Sequence, residues 1–128
     1  MNGPVIPTRV IEFLAENIDT VPQLEALLLM WQAPDDRWSV EELAVRLYVS
    51  AEEAATIVRA LQMRALIVSD EQQNSYQYSG DWDASGTLIA EVARAYRHNL
   101  IHITKFIHSR ASSAVRAFAR AFDLKKDR

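Results

Sequence analysis

Two short serine-led motifs constrain the fold of this chain more than any other feature. Residues 39–42 (Ser-Val-Glu-Glu) and 50–53 (Ser-Ala-Glu-Glu) begin eleven residues apart. In such a capping box the serine hydroxyl accepts a hydrogen bond from the backbone N–H of the glutamate three residues on, and that glutamate accepts one from the serine N–H. Because two helix starts lie so close together, only a short helix and a tight turn fit between them. The spacing therefore predicts a helix-turn-helix.

Residues on either side of this pair predict a small sheet. Residues 66–68 (Leu-Ile-Val) and 76–78 (Tyr-Gln-Tyr) are of strand-forming types and are joined by the polar loop 69–75, which is typical of an antiparallel hairpin. Trp38 is expected in a short extended piece that completes this sheet. The predicted fold is mainly α-helical with a two- to three-stranded β wing, which is a winged helix-turn-helix.

Two further helices are predicted before this module. Val10, Leu14 and Ile18 fall on one helical face and predict a helix over residues 8–18. A second helix follows, capped by Asp19 or Thr20, and ends before residue 33. Residues 1–83 are therefore expected to form one winged-helix domain.

A longer helix is predicted to follow it and to pair with a second copy of the chain. Its apolar residues are separated by three or four positions, as in a heptad seam; they are Ile89, Val92, Tyr96, Leu100, Ile103 and Ile107. Because such a stripe needs a partner to cover it, this helix, residues 84–108, is expected to mediate a homodimer. The contacts between the two copies are expected largely within residues 87–107. His98 and His102 are spaced like metal ligands but lack a clear third ligand, so no metal site is predicted.

Charge is distributed unevenly along the 128 residues. Residues 1–91 contain 5 Arg and 15 Asp or Glu, whereas residues 92–128 contain 9 Lys or Arg and 2 Asp. The last part, residues 109–128, has the pattern of a basic amphipathic helix that could dock on its own domain, on a partner protein or on an anionic membrane surface; docking within the dimer is favoured. Its candidate interaction residues are Arg110, Arg116, Phe118, Arg120, Phe122, Lys125 and Lys126.

The composition excludes several functional classes. The chain has no cysteine and only three glycines, and it contains no recognisable catalytic triad, phosphate-binding glycine loop or metal motif. We therefore expect neither catalysis nor a cofactor. Because no apolar run approaches the roughly 20 residues of a membrane span, a cytoplasmic location is expected.

The helix that begins after Ser50 would enter the major groove if the protein reads DNA. Candidate DNA contacts are Arg46, Thr56, Arg59 and Arg64. Two observations weaken this prediction: Glu52 and Glu53 make the helix start acidic, and the wing loop has neither Lys nor Arg to meet a phosphate.

The run from Trp38 through Tyr78 resembles bacterial winged-helix regulators, the broad group that includes the multiple-antibiotic-resistance and arsenical repressors. The chain's ending, residues 118–127, is similar to that of a group of small uncharacterised bacterial proteins. The resemblance implies a DNA-binding transcriptional regulator. The alternative is a winged-helix protein interaction module that does not bind DNA and recognises its partner through the basic tail.

Overall fold

The computed structural model describes residues 5–110, so the tail candidates beyond Arg110 (Arg116, Phe118, Arg120, Phe122, Lys125 and Lys126) lie outside it. The elements are α1 (Thr8–Asn17), α2 (Val21–Gln32), α3 (Val40–Leu47), α4 (Ala51–Met63), β1 (Ile67–Asp70), β2 (Ser75–Tyr78) and α5 (Thr87–His98). A further helical segment, α6, occupies residues 100–110. No helix among these residues combines the length and apolar character needed to cross a membrane.

Helices α3 and α4 form the helix-turn-helix predicted from the two serine motifs. At Ser39 both halves of the capping box are present, since Glu42 N–H donates to Ser39 Oγ at 3.0 Å and Ser39 N–H donates to Glu42 Oε1 at 2.9 Å. At Ser50 only the first half forms, with Glu53 N–H donating to Ser50 Oγ at 3.0 Å. The prediction of a full capping box is therefore correct at α3, and α4 has only the serine cap.

The wing is a two-stranded antiparallel hairpin that is extended by Trp38. Strand β1 pairs with β2 in a register that places Ile67 opposite Tyr78 and Asp70 opposite Ser75. Trp38 N–H donates to Tyr76 O, and Tyr76 N–H donates to Trp38 O, both at 2.8 Å. The predicted role of Trp38 is thus confirmed, and the chain has a winged helix-turn-helix fold.

The apolar faces of the helices meet in one core beneath the wing. Leu14 of α1, Leu24 and Met30 of α2, Leu43 of α3 and Leu61 of α4 are all fully buried. Helix α2 is covered on more than one side, since Ala26, Leu27 and Leu28 are buried as well as Leu24 and Met30. This packing fixes the inner faces of α3 and α4 and leaves their outer faces at the surface.

The long helix predicted for residues 84–108 is interrupted, so the prediction of one continuous helix is wrong at Asn99. Asn99 leaves the helical conformation (φ −133°, ψ 43°) and ends α5. Its carbonyl accepts from Ile103 N–H at 3.0 Å, which starts α6. A short amide side chain of this kind competes with the helix backbone and is favoured at helix starts.

The stripe that was expected to pair with a second copy is buried within the same chain. Ile89 and Val92 before the break, and Ile103 and Ile107 after it, are each no more than 1% exposed. Leu100, by contrast, is 51% exposed. The break therefore lets both helices bury their apolar faces in the chain's own core, and these four residues need no partner to cover them.

Candidate nucleic-acid interface

The outward surface of α4 presents one continuous stripe of four residues. Glu52, Thr56, Arg59 and Met63 are spaced by four, three and four positions, which places them on one helical face. All four are exposed, Met63 by 81%. Because the opposite face of α4 is buried in the core, this stripe is held rigidly at the surface.

Two of the predicted DNA contacts lie on this stripe. Arg59 is exposed and makes no salt bridge to any residue between 5 and 110. Thr56 Oγ1 donates to the carbonyl of Glu52 at 3.2 Å, so its methyl group is the part that remains for an outside contact. The structure brings these two residues together one helical turn apart.

Arg46 lies in the last turn of α3, beside Trp38, and is not part of the α4 stripe. Its guanidinium carbon is 5.4 Å from the centroid of the Trp38 ring, which is the geometry of a cation–π contact. The contact orients the exposed guanidinium without neutralising its charge. Arg46 is therefore available to an anionic partner.

Arg64 does not join the other candidates. It follows the last residue of α4, and its guanidinium contacts both carboxylate oxygens of Asp19, at 3.1 and 3.5 Å. Asp19 lies between α1 and α2, so this ion pair ties the end of α4 to the N-terminal helices. A side chain held in this way positions α4 and does not reach the surface stripe.

The wing has a basic residue that the sequence analysis missed. Arg37 donates to Asp70 Oδ2 at 3.4 Å and also to Gln73 Oε1, so it lies against the acidic wing loop with half of its side chain exposed. Asp70 also accepts from the backbone N–H groups of Gln72 and Gln73, at 3.0 and 3.3 Å. The predicted pairing of Trp38 with the wing could have indicated this position. Arg37 directly precedes Trp38, so a Trp38 that pairs with the wing also brings Arg37 to it.

The overall charge of this surface is not that of a strongly basic DNA reader. Residues 37–78 contain four arginines and six acidic residues. Two of the arginines, Arg37 and Arg64, contact carboxylates, and this leaves Arg46 and Arg59 without a carboxylate partner among the described residues. Phosphate contacts must therefore come partly from elsewhere in the molecule if duplex DNA is bound.

Residues 5–110 contain no group of three or more side chains placed to hold a metal ion. His98 and His102 lie on different helices, because the break at Asn99 separates them. Their four-residue spacing in sequence therefore does not give the shared helical face on which a two-histidine site depends.

The arrangement of α3, α4, the hairpin and Trp38 defines a protein of the winged helix-turn-helix class. No protein-family model matches the sequence, and no curated protein is significantly similar to it. Among solved structures the chain is similar to a MarR family protein from Bacillus stearothermophilus, with a TM-score of 0.48 and 19% sequence identity, over 94% of this chain and 84% of that chain.

Proposed function

We propose that this protein is a transcriptional regulator that binds duplex DNA as a homodimer, with α4 as its recognition helix. The observation that carries the proposal is the rigid, uncovered stripe of α4, in a helix-turn-helix whose wing is closed by Trp38. A helix supported in this way on one face and free on the other is the element that winged-helix proteins place in the major groove.

Arg59 is assigned the main role in reading bases. A guanidinium can donate two hydrogen bonds to O6 and N7 of a guanine, the commonest specific contact in the major groove. The methyl group of Thr56, one turn away, can contact the methyl group of a thymine. Arg37 at the wing and Arg46 on α3 are assigned to phosphates, which hold the protein in register without reading sequence.

The proposed homodimer uses only the part of the predicted segment 87–107 that stays exposed. Leu100 and Ile101, at the start of α6, are 51% and 65% exposed. Val5, which is 88% exposed, lines a pocket together with His98 and Asn99, the residues just before them. Exposed apolar side chains near one another in a small protein are typical of an association surface. A two-fold dimer would also present two α4 helices to two half-sites of a palindromic DNA sequence.

The experiment that tests DNA binding is selection of duplexes from a random library by the full-length protein, at low and at physiological salt. We expect enrichment of a palindromic sequence that persists near physiological salt. Arg59→Glu should abolish this enrichment. Arg59→Lys is the matched control: it keeps the charge but cannot form the paired contacts with guanine, so it should retain binding and lose preference at one position of each half-site.

Either of two results would contradict the proposal. One is that the wild-type protein selects no sequence, or binds only weakly with an affinity that disappears as salt rises. The other is that Arg59→Glu keeps full affinity for the selected duplex, in which case α4 is not the reading element.

The acidic residues around α4 and the wing are the observation that favours the alternative, a winged-helix module that binds a protein partner. Its test is a truncation that removes the tail while preserving the fold. The chain should be truncated after Arg110, so that Arg110 is kept. Its guanidinium donates to Leu14 O at 3.3 Å and to Ile18 O at 2.9 Å at the end of α1, and these contacts are part of the fold. Loss of a partner from the truncated protein, together with no DNA selection by the full chain, would support this alternative.

A further inference from the structure

A groove lined by three arginines lies between α2, the end of α3 and α5. Its volume is about 650 Å³, and Arg46, Arg94 and Arg97 line it together with Tyr48 and Tyr96. Arg46 comes from the helix-turn-helix, whereas the other two come from α5. The fold therefore brings cations from distant parts of the sequence to one surface of a protein whose described residues are acidic overall.

These three guanidiniums are unpaired within the described part of the chain. Arg9, Arg37 and Arg64 each contact a carboxylate, at 3.2, 3.4 and 3.1 Å, but Arg46, Arg94 and Arg97 have no such contact with any residue from 5 to 110. Glu25 is the one acidic residue that lines the groove there, and it accepts a hydrogen bond from the Tyr96 hydroxyl at 3.0 Å. The groove thus presents positive charge that the described residues leave without a carboxylate partner.

The groove is continuous with the helix-turn-helix through Tyr48. Tyr48 ends α3 and lies two residues before Ser50, the residue that caps α4. Its backbone is left-handed (φ 59°, ψ 42°), a conformation that is unfavourable for a residue with a side chain, and Tyr48 is 94% exposed. An aromatic side chain with a polar hydroxyl is therefore held out at the junction between the groove and the start of α4.

We propose that this groove receives the phosphate backbone of the DNA duplex whose major groove is read by α4, with Arg94 and Arg97 as phosphate contacts from outside the helix-turn-helix. The inference rests on the proposed function. Charge complementarity and continuity with the start of α4 favour this occupant. The groove also provides the positive charge that α4 and the wing lack, and phosphate neutralisation by Lys and Arg supplies a large share of the affinity of DNA-binding proteins.

The test compares the salt dependence of DNA binding in matched variants of the full-length protein. The probe is a labelled duplex carrying the selected sequence, with a scrambled duplex of the same length alongside. Arg94→Ala/Arg97→Ala removes two charges from the groove. The control Arg9→Ala/Lys105→Ala removes two charges from the surface outside it, and sedimentation checks that both variants keep the oligomeric state of the wild type.

The groove variant should lower the slope of log affinity against log salt by about 3.6 for the homodimer, because each of the two protomers loses two phosphate contacts and each lost contact lowers the slope by about 0.9. It should weaken binding to both duplexes by a similar factor, whereas the control should keep the wild-type slope. Arg94→Lys/Arg97→Lys should restore the slope, since a phosphate requires charge and not a planar fork.

The inference is overturned if the groove variant keeps the wild-type slope, as it would if the groove held a small organic anion. An equal loss of slope in the control would also overturn it, because the effect would then belong to total charge. Failure of this inference can be distinguished from failure of the proposed function. If the proposed function is wrong, the wild-type protein selects no sequence. If only the groove inference is wrong, the wild-type protein selects a sequence and Arg59→Glu loses binding, but the groove variant keeps the wild-type slope.

Discussion

Tyr96 connects α5 to α2 through a single side-chain contact. Its hydroxyl donates to Glu25 Oε2 at 3.0 Å. Burial, then the hydrogen bond to Glu25 and the charge of that carboxylate, raise the pKa of Tyr96 from 10.0 to about 12. Tyr78 behaves in the same way for a related reason, since burial and the nearby charge of Asp83 raise its pKa to about 12. Both phenols are thus stabilised in their neutral form by folding.

This stabilisation predicts a loss of stability at alkaline pH. Because the folded-state pKa lies above the unfolded value, the contribution is complete below pH 10.0 and disappears as pH rises from there to about 12. Urea unfolding between pH 8 and 12 should show the decline, and Tyr96→Phe should make it shallower. Tyr48→Phe, which removes a hydroxyl from an exposed side chain, is the control and should follow the wild type. An equal decline in Tyr96→Phe would mean that Tyr96 does not contribute to it.

At the scale of elements, the two serine motifs are alike in sequence but differ in their hydrogen bonds. Glu42 accepts from Ser39 N–H at 2.9 Å, whereas no corresponding bond from Ser50 N–H to Glu53 forms in the structure. Both glutamates lie in the first turn of their helices, so each has a similar favourable interaction with the helix dipole. The hydrogen bond is the main difference between them.

Glu42→Ala should therefore destabilise the protein more than Glu53→Ala. The loss of one hydrogen bond to a backbone donor is expected to cost about 0.5–1.5 kcal/mol in the free energy of unfolding. The Glu53 variant should stay within about 0.5 kcal/mol of the wild type, as for most surface substitutions. Denaturant unfolding of both variants under one set of conditions measures the difference, and equal losses would show that α4 also forms a full capping box in solution.

At the scale of the whole molecule, burial of the apolar stripe within one chain changes where two copies can meet. Ile103 and Ile107 are buried within the chain itself, and Arg110 of α6 donates to the backbone carbonyls of Leu14 and Ile18. The apolar surface that remains near this end of the molecule includes Leu100 and Ile101. A homodimer would bury these two side chains.

Sedimentation tests this surface directly. The wild-type protein should be a dimer at micromolar concentrations, and Leu100→Asp/Ile101→Asp should be a folded monomer, because two buried and unpaired carboxylates from each protomer would oppose association. Val45→Asp is a suitable control, since Val45 is 73% exposed on α3 and lies outside this surface. The prediction fails if the double variant remains a dimer or if the wild type sediments as a monomer.

The sequence by itself determined the features that depend on neighbouring residues. The start of α3, the turn before α4 and the faces of the helices follow from caps and from the 3.6-residue period. The pairing of Trp38 with the wing was also predictable, because a strand is required just before α3 in this fold.

Only the tertiary structure decided which distant residues meet. It placed Arg37 on the wing, paired Arg64 with Asp19 and gathered Arg46, Arg94 and Arg97 in one groove. It also decided that Ile89, Val92, Ile103 and Ile107 are covered by their own chain. Apolar spacing shows that a face must be buried but not what buries it, and charge shows that a partner is needed but not which one. Both depend on contacts between residues far apart in sequence, and these are fixed only when the core packs.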